Sequence, residues 1–126
     1  MFSHVMVGAN DIEESKTFYD AVFQVLGHPP GSINPEGQCF YFADNNVFAL
    51  TKPINGQPAT HGNGTTIGFL ARSTKLVDTW HEVGVAHGGV PCEDPPGVRD
   101  FEDRQYYIAY LRDPAGNKIC ALHSIS

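Results

Sequence analysis

Three residues combine a chemically active side chain with a place in a strand-like segment. His4 lies in the first apolar run, Thr66 opens a similar run in the second half, and Cys120 lies in the last one. Histidine transfers protons near neutral pH and binds metals, and a cysteine thiolate is a nucleophile and a zinc ligand. Because side chains alternate along a strand, we expect these three on one face of a sheet. Their neighbours should pack under helices: Val5, Val7, Ile67, Phe69, Ile119 and Ala121.

Each of these residues could instead have a purely structural role. A free cysteine such as Cys120 is usually a small buried filler, and it reacts only where a neighbour such as Arg99 or His4 lowers its pKa. His4 itself could be a hydrogen-bonded pocket residue rather than a ligand or an acid/base group. His28 lies in a Pro/Gly loop that could approach the same face, and His123 should face the side opposite to Cys120. We expect the remaining histidines on the surface or in loops.

Arg99 and a neighbouring group of tyrosines are candidates for ligand binding. A guanidinium can hold a carboxylate or a carbonyl through two parallel hydrogen bonds. A surface arginine that pairs with Asp100 or Asp103 explains Arg99 equally well. The tyrosines that follow alternate in direction along a predicted strand, so some should face the ligand, and we select Tyr107 as the candidate.

An internal repeat predicts the elements that position these residues. When Asp11 is aligned with Ser73, each half shows an apolar run, an N-cap residue and an amphipathic segment with helical spacing. Gly27 and Gly84 are predicted to end the two helices. Each helix is followed by a Gly/Pro-rich stretch and then by two apolar segments around a polar turn, which predicts a hairpin. Each half is therefore β-α-β-β-β, with a short second strand, and the fold class is α+β.

The join between the halves, KPINGQPATHGNG at residues 52–64, is rich in Gly, Pro and Asn. It indicates a linker between a first module at about residues 1–54 and a second at 65–126. A lone module of this size would leave one sheet face bare, so we expect residues 1–126 to fold as one domain. Open sheet edges also favour a homodimer.

Composition excludes several function classes. The net charge is -6 with no compensating basic cluster, which argues against a nucleic-acid partner and leaves a cationic or neutral small molecule as the ligand. No apolar run approaches the roughly 20 residues that a membrane helix needs, and the first residues lack the pattern of a signal peptide. Three widely spaced cysteines predict neither a disulfide framework nor a cysteine-rich zinc site, so we expect a reducing cytoplasm.

The C-terminal segment PPGVRDFEDRQYYIAYLRDPAGNKICALHS carries the most specific pattern, together with FYDAVF, LG and GNGTTIGF earlier in the chain. With the tandem modules, it resembles the vicinal oxygen chelate superfamily, which comprises glyoxalases, bleomycin-resistance proteins and dioxygenases. The resemblance implies a curved, half-barrel-like mixed sheet around a cavity, with the Arg99 loop at the cavity mouth. Asp113, Gly116 and Asn117 are better explained as turn residues than as catalytic ones.

The resemblance also implies a divalent metal held by the first and last strands of each module. The matching positions here are His4, Ala49, Thr66 and Cys120, where the family usually has His or Glu donors. Only His4, and Cys120 as a thiolate, could ligate, and a stable catalytic site generally uses three protein ligands. We therefore expect no resident cofactor, with a divalent metal at these degenerate positions as the minor alternative.

Two functions follow from the resemblance. The first is a small-molecule-binding, glyoxalase-like protein with a degenerate metal site, in which lyase, isomerase or dioxygenase activity is not assured. The second is a non-catalytic protein that sequesters a drug or a metabolite in a dimer groove. Missing donors at Thr66 and Cys120 favour binding over metal catalysis, and the acidic charge favours a cationic ligand.

Overall fold

Each apolar run that the repeat predicts forms a strand, and each capped amphipathic segment forms a helix. The structure is a computed structural model and describes residues 1–125. The first module consists of β1 (Val5–Gly8), α1 (Ile12–Val25), β2 (Ser32–Ile33), β3 (Cys39–Ala43) and β4 (Asn46–Thr51). The second module consists of β5 (Ile67–Leu70), α2 (Thr74–Ala86), β6 (Val90–Pro91), β7 (Gly97–Phe101), β8 (Arg104–Arg112) and β9 (Lys118–Ser124).

The two modules form two mixed sheets with the same parallel pairing. In the first sheet the strand order is β1-β4-β3-β2, with β1 parallel to β4. In the second the order is β5-β9-β8-β6, with β5 parallel to β9 and β7 added beside β8. The predicted α+β class and tandem modules are confirmed, and the sheets do not close into a barrel within the chain.

The second module contains one strand more than predicted. Its Pro/Gly-rich stretch was expected to be a loop, yet Gly97–Phe101 pairs antiparallel with the first half of β8. The prolines at 95 and 96 precede this strand, so they interrupt no hydrogen bond of the ladder. Arg99 therefore lies in β7 rather than in a loop, opposite Tyr106.

The helices begin where the sequence predicts, but the second ends later. Asp11 and Ser73 accept the backbone N–H groups of Glu14 and Leu76, as N-caps do. Gly84 is buried inside α2, where a Cβ would lie 2.3 Å from Leu111 Cδ1, so glycine is needed for close packing rather than as a stop. Within the described residues, neither helix is long and apolar enough to cross a membrane.

One apolar core is shared by both modules. The two helices contact each other, and side chains from both sheets join the same cluster. Aromatic rings make the junction: Phe69 of β5 lies 4.9 Å from Phe23 of α1 and 5.3 Å from Phe48 of β4, measured between centroids. Trp80 is fully buried in this core. The helices therefore lie toward the common interior, between side chains of the two sheets.

A buried hydrogen-bond network joins the modules at the β8–β9 turn. Asp113, which is 2% exposed, accepts hydrogen bonds from the Tyr19 hydroxyl of α1 at 2.6 Å and from the Asn117 side-chain amide at 3.0 Å. The Asn117 amide also donates to the Gly8 carbonyl of β1 at 2.9 Å. Burial and the neighbouring Asp113 raise the pKa of Tyr19, so it remains a hydrogen-bond donor. The residues predicted to shape a turn also bind the two modules together.

We expect Asp113→Ala to lower the free energy of unfolding by about 3 kcal/mol, because it leaves the buried Tyr19 and Asn117 donors without their acceptor. Urea unfolding monitored by circular dichroism measures this change. Asp78→Ala is the matched control, since Asp78 accepts an exposed tyrosine bond from Tyr107 at 2.8 Å. That variant should lose less than about 0.5 kcal/mol. Equal losses in the two variants would show that Asp113 does not join the modules.

Candidate functional site

The first sheet has one face that no helix covers, which we call the first open face. The strand register places Met6 beside Ala49 and Ala49 beside Phe40, so these side chains share a face. Phe42 and Val47 form the next pair along it. Met6 and Phe42 are 38% and 58% exposed, whereas Ala49 is fully buried beneath its larger neighbours. This face is apolar and carries no charged side chain among its strand residues.

The second sheet has a corresponding second open face with a different composition. Gly68, Cys120 and Tyr110 are neighbours across β5, β9 and β8. The same register also places on this face Leu70, Val90, Arg99, Phe101, Arg104, Tyr106, Ile108, Arg112, Lys118 and Leu122. Leu70 is 81% exposed, and Ile108 and Cys120 are buried. Aromatic, aliphatic and cationic groups therefore share one surface.

The structure brings only some of the predicted site residues to these faces. Cys120 and Arg99 lie on the second open face, and Ala49 lies on the first. His4 and Thr66 are exposed and lie just before β1 and β5, respectively. The apolar neighbours of His4, Thr66 and Cys120 pack in the core, as strand alternation predicts.

Tyr107, the tyrosine selected from the sequence, lies away from the second open face. Its ring packs on the helix side of the second sheet, and its hydroxyl donates to Asp78 of α2 at 2.8 Å. The tyrosine beside Cys120 is Tyr110. The length of the turn could have identified Tyr110 from the sequence. If the hairpin closes with Arg112 opposite Lys118, the residue two positions before Arg112 lies opposite the residue two positions after Lys118, which pairs Tyr110 with Cys120.

The four positions implied for a divalent metal do not fit one. Ala49 has no donor atom, and Thr66 offers only a neutral hydroxyl. Burial raises the pKa of the Cys120 thiol to about 11, which keeps the sulfur protonated, although a thiolate is needed for ligation. His4 Nδ1 lies 2.8 Å from the Ser3 hydroxyl. Among residues 1–125, no group of three or more His, Cys, Asp or Glu side chains is placed to hold a metal ion.

Several polar side chains of the second open face lie near Tyr110. Lys118 Nζ lies 5.0 Å from the centre of the Tyr110 ring and pairs with Glu93, which reaches in from the loop after β6. Arg99 Nη2 donates to the carbonyls of Asp94 and Pro95, each at 3.0 Å. Burial raises the pKa of the Tyr110 hydroxyl, and Lys118 and Arg99 oppose that shift. The predicted pairing of Arg99 with Asp100 or Asp103 is not observed.

Two hollows border the open faces, at Thr51 and at Leu70, and the sequence indicated neither. One of about 780 Å³ lies between the start of α1, the turn before β3 and the linker, with Asp11, Glu13, Glu36 and Lys52 in its wall. The other, of about 450 Å³, lies at the seam of the modules, and it brings together His28, Arg72, His123 and Asp44. His123 Nδ1 lies 2.9 Å from the Ala71 carbonyl there. His28 thus lies at the seam of the modules, in a hollow that Leu70 also lines.

We expect the Cys120 thiol to react slowly with iodoacetamide at pH 8. A pKa of about 11 leaves roughly one thiolate in a thousand, so the rate should rise about tenfold per pH unit between pH 8 and pH 10. Peptide mapping after short labelling pulses measures each cysteine separately, and the partly exposed Cys92 serves as the internal reference. A Cys120 rate that levels off below pH 9 would contradict the buried, protonated thiol.

Comparison with known proteins gives the same architecture. The model of the Glyoxalase/Bleomycin resistance protein/Dioxygenase superfamily matches residues 1–121. A crystal structure of a glyoxalase/bleomycin resistance protein from Albidiferax ferrireducens T118 is 58% identical, with a TM-score of 0.94 and 98% of each chain covered. Among curated proteins, none matches the chain.

More distant structures share the fold. A glyoxalase/bleomycin resistance protein/dioxygenase family enzyme from Burkholderia phytofirmans PsJN is 19% identical, with a TM-score of 0.76 and 98% of each chain covered. A putative glyoxalase from Bacillus halodurans is 18% identical, also with a TM-score of 0.76, over 98% of this chain and 95% of that one. With the match to the family model, the tandem modules and their two open faces lead to one conclusion. The chain belongs to the glyoxalase/bleomycin resistance protein/dioxygenase superfamily.

Proposed function

We propose that this protein binds an organic small molecule in a cavity that forms when two copies pair through their open faces, and that it does so without a metal. The observation that carries the proposal is the large apolar surface on faces that no helix covers. Met6 and Phe42 on the first face and Leu70 and Phe101 on the second are all more than a third exposed. Burying such surface from water is favourable, and pairing two faces provides that burial.

A second copy is needed because of how the modules share their core. Both helices pack against each other, and both sheets turn their helix-side residues into the same cluster. The open faces therefore point away from a common interior and do not enclose a space within one chain. In a two-fold dimer, the first open face of one protomer would meet the second open face of its partner, which gives two equivalent cavities.

Binding is better supported than catalysis by the groups available. A proton abstraction or an isomerisation needs a positioned base, and neither open face carries a carboxylate among its strand residues. The Cys120 thiol stays protonated, and His4 lies outside the strands. The role this favours is a protein that sequesters a drug or a metabolite, and one relative of this chain is described as a glyoxalase/bleomycin resistance protein.

The proposal also includes the domain organisation of the chain and its cellular compartment. We treat residues 1–126 as one domain, because a core built from both modules leaves neither half with a core of its own. The thiols of Cys39, Cys92 and Cys120 are all free, which suits a reducing cytoplasm.

We expect the wild type to sediment as a dimer and Phe42→Glu to sediment as a monomer, because the substitution places a charge within the apolar contact. Analytical ultracentrifugation measures the difference. Binding of a neutral aromatic amide, measured by calorimetry, should be lost together with the dimer. Val85→Glu is the control, since Val85 is 43% exposed on α2 and away from the open faces. A wild-type monomer, or a Phe42→Glu variant that still binds the amide, would contradict the proposal.

We also expect purified wild-type protein to retain no stoichiometric Ni, Zn, Mn or Fe after equilibrium dialysis. Thr66→His combined with Cys120→Glu should create metal binding, because it supplies a nitrogen and a carboxylate at positions that now offer neither. Elemental analysis measures both samples. Stoichiometric metal in the wild type that is lost in His4→Ala would contradict a degenerate site.

A further inference from the structure

The second open face concentrates positive charge in an otherwise acidic protein. The chain has eight Lys and Arg residues against fourteen Asp and Glu residues. Four of the eight cations lie on this one face, namely Arg99, Arg104, Arg112 and Lys118. The strand residues of the face include no carboxylate at all. Glu93 reaches the face from the loop after β6, and its partner is Lys118.

Neutral groups hold Arg99 and Arg112 in place. Arg112 Nη1 donates to the Gly116 carbonyl at 3.0 Å, and Arg99 Nη2 donates to the Asp94 and Pro95 carbonyls. Carbonyl acceptors fix a guanidinium without cancelling its charge. Within residues 1–125, only Lys16 and Lys118 lie within ion-pair distance of a carboxylate, so the charges of Arg99, Arg104 and Arg112 are not paired.

The guanidinium of Arg99 lies over the face rather than away from it. A Cβ on Gly97 would be 3.4 Å from Arg99 Nη1, so the side chain folds back across the glycine. Gly97 lies opposite Ile108, the residue two positions before Tyr110 on the same face. Arg99 is close enough to Tyr110 to affect the pKa of its hydroxyl. The result is a fixed cation beside a tyrosine and an aliphatic surface.

We propose that the cavity of this protein takes a small organic anion, whose carboxylate or phosphate-type group binds Arg99 beside Tyr110 and whose apolar body packs on the first open face of the partner protomer. The proposal rests on the paired-face cavity proposed above and names its ligand class. The uncompensated charge of the guanidinium attracts such anions, and the stacked Phe40 and Phe42 rings, with centroids 6.1 Å apart, suit an aromatic body. The local charge thus favours an anion, opposite to the expectation from the net charge.

Matched probes test the sign of the charge. Calorimetry on the full-length protein would compare phenylbutyrate with phenylbutanamide and phenylbutylamine, which share one aromatic body and differ in charge. We expect phenylbutyrate to bind at least about tenfold more tightly than the amide, and the amine to bind most weakly. Phenylpropylphosphonate distinguishes the two anion types, and either anion binding more tightly than the amide supports the proposal.

Variants then assign the anion to its residue. Arg99→Gln should weaken phenylbutyrate about tenfold while leaving the amide unchanged, and Arg99→Lys should recover part of the loss because it keeps the charge. Lys75→Gln on α2 is the control and should change neither probe more than twofold. Thermal unfolding of each variant checks that the fold is retained, and Arg112→Gln, expected to weaken phenylbutyrate less, provides a second variant of the same face.

The outcomes separate this proposal from the one on which it rests. Equal binding of the three probes, or tighter binding of the amine, would overturn the anion proposal and leave the cavity intact. An unchanged affinity of Arg99→Gln for phenylbutyrate would overturn it in the same way. If no probe of any charge binds the dimer, the cavity itself is wrong and both proposals fail.

Discussion

The Asp113 carboxylate lies where the last hairpin of the second module meets the first helix and first strand of the first module. Its bonds to Tyr19 and Asn117 are buried, and the Tyr19–Asp113 and Asn117–Gly8 bonds join elements about a hundred residues apart in the chain. An unsatisfied donor at any of these places is costly, so the network fixes how the modules meet. That fixed junction, together with the aromatic contacts of Phe69, directs the helix sides of both sheets into one core.

Once the helices lie toward a shared interior, the opposite faces of both sheets must point outward. In a single chain these faces leave large apolar side chains exposed to water. Small buried residues such as Ala49 and Cys120 lie beneath large exposed ones such as Met6 and Leu70. In the proposed dimer a second copy would cover both faces, and an apolar first face opposite a cationic second face would suit an amphipathic ligand.

Much of the architecture could be predicted from the sequence, because the fold repeats and its periodicities are strong. Asp11 and Ser73 cap helices as their side chains predict, and strand alternation assigns Cys120 to an open face. The predictions that were wrong depend on contacts that no local pattern shows. Gly84 resembles a helix stop but serves close packing against Leu111, and a Pro/Gly stretch that resembles a loop provides the β7 strand beside β8. Tyr107 was selected instead of Tyr110 because the register of the β8–β9 hairpin was not known from the sequence.

The charge of the candidate site was harder to predict. The sequence gives only the net charge, whereas the fold determines where the charged side chains lie. A net charge of -6 suggests attraction for cations over long distances. Attraction at a site depends instead on charges within a few ångströms, since ions screen exposed charges beyond about 8 Å at physiological salt. Strand pairing gathers Arg99, Arg112 and Lys118 onto one face, while most carboxylates lie elsewhere. The strand register, rather than the composition, therefore decides which sign of charge a ligand on this face would meet.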